Sequence, residues 1–128
     1  MHTVFITNKS PHDFSDAERY GRIVFLTTGF IRQYSTDRIQ EMVLQGRVTD
    51  VGLVDSQPGD FLLISSLNIL TAISSSVLAK RHGLVNYLLF KRGRYTDRTV
   101  LFRPIEEREN SGTESDRIQP SGGDLPRA

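Results

Sequence analysis

Two periods of hydrophobic and polar positions alternate along the chain, and each change of period marks an element. Residues 3–7 (Thr-Val-Phe-Ile-Thr) are rich in β-branched side chains and predict a first strand. Residues 22–27 (Arg-Ile-Val-Phe-Leu-Thr) and 60–65 (Asp-Phe-Leu-Leu-Ile-Ser) hold unbroken apolar runs. Such runs suit strands covered on both faces. Between them the period becomes helical. Ile39, Met42 and Val43 recur at i, i+3, i+4 after a Ser35 or Thr36 cap, and Gly46 supplies the stop.

Leu70, Ile73, Val77 and Leu78 form the stripe of a longer helix, expected from a Ser66 cap to about His82. Its last turn carries Lys80, Arg81 and His82, where cations favour the helix dipole, and Gly83 follows. Ser15 and Glu18 have the spacing of a capping box, which predicts a helix of one or two turns closed by Gly21. Residues 84–90 and 96–102 read as strands joined by a turn at Lys91-Arg92-Gly93-Arg94, an antiparallel hairpin. Residues 47–59 fit either a short strand or a packed loop.

The order β–α–β–α–β–α–β–β implies a mostly parallel sheet with helices packed on it. We therefore expect an α/β fold: a small Rossmann-like three-layer sandwich of about five strands ending in a β-hairpin. No G-x-G-x-x-G and no G-x-x-x-x-G-K-[ST] accompanies it, so the dinucleotide and P-loop fingerprints are absent.

Composition narrows the class. The chain has 128 residues, 38% of them hydrophobic and 24% charged, enough to build a core. Residues 106–128 contain Gly112, Pro120, Gly122, Gly123 and Pro126, with Ile118 and Leu125 as the sizeable apolar side chains. We expect a single domain over 1–105 and a disordered acidic tail over 106–128. With no cysteine, disulfides and thiolate chemistry are excluded. No apolar run reaches the ~20 residues of a membrane span, and no leader-like pattern opens the chain. A cytoplasmic protein without a membrane partner is the expectation.

Charge matters by region. The total is +1, yet residues 80–103 carry seven Lys or Arg against Asp97 alone. Lys91, Arg92, Arg94, Tyr95 and Arg98 surround the hairpin turn. A cationic ribbon with an aromatic can follow a nucleic-acid backbone. Charged edge strands also simply discourage aggregation.

The candidate site lies elsewhere. Ligands in open α/β sheets bind beyond the carboxyl ends of the strands. Three strands end there in small polar residues: Asn8, Lys9 and Ser10, leading to His12 and Asp13; Thr27, Thr28 and Gly29; Ser65, Ser66 and Asn68. Hydroxyls, one lysine, a permissive glycine and a helix N-terminus together suit an anion. The expected ligand is a nucleotide-like or other phosphorylated small molecule. Serines and threonines at strand ends are also ordinary caps, so the grouping on one edge carries the argument, not any one residue. His12 is the candidate acid/base if bonds are broken, since it can titrate near neutral pH. No pair of ligating residues has metal-site spacing, and no cofactor is expected. Phe30, Ile31 and Tyr34 offer an apolar surface for self-association, expected to be exposed.

Residues 4–21 (Val-Phe-Ile-Thr-Asn-Lys-Ser-Pro-His-Asp-Phe-Ser-Asp-Ala-Glu-Arg-Tyr-Gly), 59–67 (Gly-Asp-Phe-Leu-Leu-Ile-Ser-Ser-Leu) and 82–86 (His-Gly-Leu-Val-Asn) carry a resemblance. The chain resembles small uncharacterised proteins encoded by bacteriophages across about residues 3–102. That resemblance implies a phage or mobile-element origin, with a host-takeover or anti-defence role as context. It implies no activity and no site residue.

Overall fold

The computed structural model describes residues 1–65 and 68–103. The expected tail, 106–128, and Ser66 lie outside the described residues. Five strands share one sheet: β1 (Thr3–Lys9), β2 (Arg22–Thr28), β3 (Phe61–Ile64), β4 (Leu84–Lys91) and β5 (Arg94–Leu101). Their order is β2-β1-β3-β4-β5. The first four run parallel, and β5 returns antiparallel to β4. Two α-helices join them, α1 (Thr36–Gln45) and α2 (Ile69–His82).

The topology decides which face each connection covers. From β1 the chain steps outward to β2; from β2 it steps back over β1 to β3, then on to β4. Right-handed crossovers place the first connection on one face and the next two on the other. The two core clusters follow this division. Phe5, Val24, Leu26, Leu62 and Val85 pack with Ile39, Met42 and Val43 of α1 and with Leu70 and Leu78 of α2. Val4, Ile6, Leu63 and Leu88 point the other way and pack with Phe14, Ala17 and Tyr95.

The α/β class, the mixed five-strand sheet and the terminal hairpin stand as expected. A full third layer is not what covers the second face. The β1–β2 connection, 10–21, is near the minimum of about a dozen residues for a parallel crossover. It holds one 3-10 helix, Ser15–Arg19. Its capping also differs from the expected box: the Asp13 carboxylate accepts the Ser15 amide at 2.9 Å, and the Ser15 side chain makes no cap.

The helix ends are set by local chemistry. Ser35 caps α1, its hydroxyl accepting the Arg38 amide at 3.2 Å. Asn68, not Ser66, caps α2, its Oδ1 accepting the Thr71 amide at 3.3 Å. Residues 47–59 form no strand; they hold a 3-10 turn at Leu53–Asp55 with Leu53 fully buried. In the β4–β5 turn Arg92 and Gly93 have φ of 54° and 78°. Positive φ at both central residues is the twist-matched two-residue hairpin turn.

Candidate functional site

The chain reverses its direction of travel across the sheet between β1 and β3, and a crevice opens beyond their carboxyl ends at such a point. Here it is a cavity of about 270 Å³ lined by Ser10, His12, Phe14, Leu63, Ile64, Ser65, Phe90 and Tyr95. Leu63 and Ile64 come from the end of β3, Ser10, His12 and Phe14 from the loop after β1, and Phe90 and Tyr95 from the hairpin. Phe90 and Tyr95 are directly paired across β4 and β5.

Aromatic edges and faces build the walls. The His12 ring meets Phe14 edge-on at 4.7 Å between centroids and Phe90 at 5.7 Å. Phe90 lies 4.9 Å from Tyr95 at a tilted angle. Phe14 stacks edge-on against Phe25 at 5.8 Å, and Lys9 Nζ sits 5.8 Å over the same Phe25 ring. Offset and edge-on packing favours these pairs and fixes their orientations. An apolar pocket with a few convergent polar groups is the usual form of a small-molecule site.

The expected ligand residues divide into groups. Ser10 and Ser65 line this cavity with His12. Asn8, Gly29 and Asn68 line a second cavity, of about 480 Å³, with Arg32, Tyr34, Ile69 and others. Thr27 is not available to a ligand: it is fully buried and its hydroxyl donates to the Thr7 carbonyl at 2.7 Å. Asn8 Nδ2 donates to the Gly29 carbonyl at 3.2 Å and so ties the first two loops together. Thr28 is exposed at the end of β2, and Lys9 points to Phe25. Asp13 faces the Ser15 amide and not the His12 ring, so the two do not form a base with its orienting acid.

Asp13 is held below the ordinary carboxylate range, first by the Ser15 backbone N–H, then by the Ser15 hydroxyl and the nearby His12. A depressed folded-state pKa favours the folded turn above the ordinary Asp range and loses that contribution as pH falls through the depressed value. The Ser15 amide resonance should therefore titrate with a midpoint below 3.8. A midpoint at or above that value would exclude the contact in solution.

On the hairpin, Lys91, Arg92, Arg94 and Arg98 are exposed, as a nucleic-acid surface requires. Tyr95 is not: it is 8% exposed and belongs to the core. Strand alternation turns it to the 3-10 face, where Tyr20 donates its hydroxyl to the Tyr95 carbonyl at 3.0 Å. The proposed assembly surface shrinks in the same way. Phe30 is 85% exposed, but Ile31 is buried and Tyr34 half-buried against the α1 core.

Phe14, Leu63, Ile64, Phe90 and Tyr95 complete the cavity, and sequence reasoning did not place them there. The available signal was weak: two aromatics bracketing a tight turn predict a cross-strand pair. Nothing local in the sequence says that Phe14 folds back onto that pair. Among the described residues no group of His, Asp or Glu could hold a metal ion. No helix among them is long and apolar enough to cross a membrane.

A family model described as phage Pam3 gp32-like protein matches residues 2–104. The chain belongs to that family. The phage origin implied by the sequence resemblance is thereby supported. No curated protein and no solved structure matches the chain. The family match spans every element that builds the cavity, from β1 to β5.

Proposed function

We propose that this member of the phage Pam3 gp32-like family binds a small nucleotide-like ligand at the carboxyl edge of its sheet, with a flat ring seated in the aromatic cavity. One observation carries the reading: His12, Phe14, Phe90 and Tyr95 wall a cavity at the β1/β3 switch point, with Ser10 and Ser65 as its hydroxyls. Four rings around a small crevice suit a planar heterocycle. The size, about 270 Å³, lies just below the usual range for drug-sized ligands and suits a mononucleotide's base or nucleoside part, with the phosphate outside. If the bound molecule is turned over, His12 is the acid/base on the cavity wall.

Thermal shifts with the four nucleoside 5′-monophosphates test this directly. At 100 times Kd a ligand adds about 2.7 kcal/mol, a shift of several degrees. Phe90→Ala should reduce that affinity at least tenfold while keeping the fold, since Phe90 is 47% exposed. The freshly purified protein offers a second readout. It has no Trp and four Tyr, so bound nucleotide stands out at 260 nm. No shift with any mononucleotide and a clean protein spectrum would overturn the reading.

A second reading, nucleic-acid binding by the hairpin, is favoured by the exposure of Lys91, Arg92, Arg94 and Arg98. The burial of Tyr95 removes the stacking platform from that surface and ranks this reading lower. It requires a steep fall of affinity with salt and a shallower slope in the Arg92→Ala/Arg94→Ala double variant. Self-association through the edge strand β5 is a third reading, and a single monomeric species across concentration in sedimentation would end it.

A further inference from the structure

We propose that the acidic run 106–116 of this chain folds back over the helix-side face of β5 and covers it in cis. The inference is independent of the ligand reading above. β5 is an edge strand of the sheet, and its register with β4 assigns its residues to two faces. Val85 and Tyr87 belong to the core beneath the helices, so their partners Val100 and Arg98 share that side. Thr96 opposite Leu89 and Arg94 opposite Lys91 continue the same face. The helical cover ends at β4: Val85 is buried, whereas Arg94, Thr96, Arg98 and Val100 are exposed. Phe102, next in the alternation, is exposed as well. The face thus has an apolar end, Val100 and Phe102, and a cationic end, Arg98, Arg94 and Lys91. Asp97, the one acid between residues 91 and 103, pairs with Leu88 and lies on the opposite face. Lys91 and Arg94 stand directly opposite each other, and like charges so placed are destabilising. Among the described residues none of these three cations has an ion-pair partner.

The sequence that follows supplies what the face lacks. Residues 106–116 (Glu-Glu-Arg-Glu-Asn-Ser-Gly-Thr-Glu-Ser-Asp) carry five carboxylates against Arg108. They lie outside the described residues, and the chain leaves those at Arg103, beside the apolar end of the face. Order matches as well as sign. Ile105 comes first, next to Val100 and Phe102, and the carboxylates follow toward Arg98, Arg94 and Lys91. From Phe102 back to Arg94 is about 26 Å of strand. A run of this length spans up to about 36 Å when extended, so one pass covers the face. A short tether also holds the run at an effective concentration of order millimolar, an advantage that a second copy lacks. A foreign polyanion drawn to the hairpin would have to displace the run first.

Because the chain has no cysteine, a nitroxide attached through Ser111→Cys is a single probe in the full-length protein. The amide signals of Thr96 and Asp97 should lose roughly half their intensity or more at low salt. They should recover in about 1 M salt, where the Debye length is about 3 Å. Reversing the exposed face with Arg94→Glu and Arg98→Glu should restore the signals at low salt. Adding Glu106→Lys, Glu107→Lys and Glu109→Lys to that variant should bring the loss back. Undiminished signals at low salt overturn the inference. So does an equal loss in the unaltered and the reversed hairpin, which would be proximity of the tether alone. A mixture of spin-labelled chain and isotope-enriched chain without the label tests the other occupant. Loss of signal in that mixture assigns the face to a second copy and overturns the cover in cis.

Discussion

Phe5→Ala should cost about 3–5 kcal/mol, the range for truncating a buried phenylalanine whose surroundings cannot collapse. Phe5 lies on β1, between β2 and β3, and is 1% exposed. Its register partners are Val24 on one side and Leu62 on the other, both in the same core cluster. Leu70 and Leu78 of α2 and Met42 of α1 join that cluster from the layer above. The side chain is thus flanked by strands laterally, which cannot move in without breaking the ladder, and by helices on its own face, which are held by the rest of the cluster. Domains of this size are stable by about 5–15 kcal/mol, so the loss is a large share. At about 4 °C per kcal/mol or more, melting should fall by roughly 12 °C or more. Phe102→Ala is the control, because Phe102 is 43% exposed and such changes usually stay within about 0.5 kcal/mol. A fall of less than about 4 °C for Phe5→Ala would mean that the helices do collapse onto the sheet.

The strands were legible because burial on two faces writes itself as apolar runs. Phe61–Ile64 and the centre of β2 show this, whereas β5 has no such run and was placed only as the return strand of a hairpin. The α1 cap and stop were legible from Ser35 and Gly46, since caps are local chemistry. The α2 cap was not, because Ser65, Ser66 and Asn68 are all competent and the path of the chain after β3 chooses among them. The layer count was not legible either. It depends on the direction in which each crossover steps across the sheet, and strand order is a long-range property.

Legibility at the site follows the same division. The gathering of the loops after β1, β2 and β3 at one edge was legible, because parallel strands place their ends together. The roles of individual residues were not. Thr27 resembles a ligand donor in sequence, yet its register opposite Asn8 commits its hydroxyl to the backbone of β1. Tyr95 resembles a stacking residue on a basic ribbon, yet its pairing with Phe90 and the fold-back of Phe14 sink it into the core. The sequence of β5 alternates poorly, with Tyr95, Val100 and Leu101 as its apolar residues, so it gives no clear inward face. Only pairing with β4 settles that question.

Gly46→Ala should cost about 3 kcal/mol or more, well beyond the usual penalty for adding a methyl group at a helix end. Two effects combine there. Gly46 has φ of 83°, and an L side chain at such a position is strained by about 1–2 kcal/mol. In addition, a Cβ would stand 2.2 Å from the Val51 carbonyl oxygen and 2.8 Å from its carbon. These are backbone atoms and cannot swing aside as a side chain could. The neighbouring Arg47 amide donates to the Leu26 carbonyl at 2.8 Å, so the helix end is also fastened to β2. Relief of the clash must therefore disturb either α1 or the segment that carries the buried Leu53. Gly83→Ala separates the two effects. Gly83 ends α2 with φ of 75° but has nothing within 4 Å of a built Cβ. It should lose only the conformational part, about 1–2 kcal/mol. Urea titrations of both variants give the comparison, with midpoints read at equal slope. A distinctly larger loss at Gly46 assigns the difference to the close approach of Val51. Equal losses would show that the 47–52 turn yields freely, and that backbone strain alone fixes glycine at the end of α1.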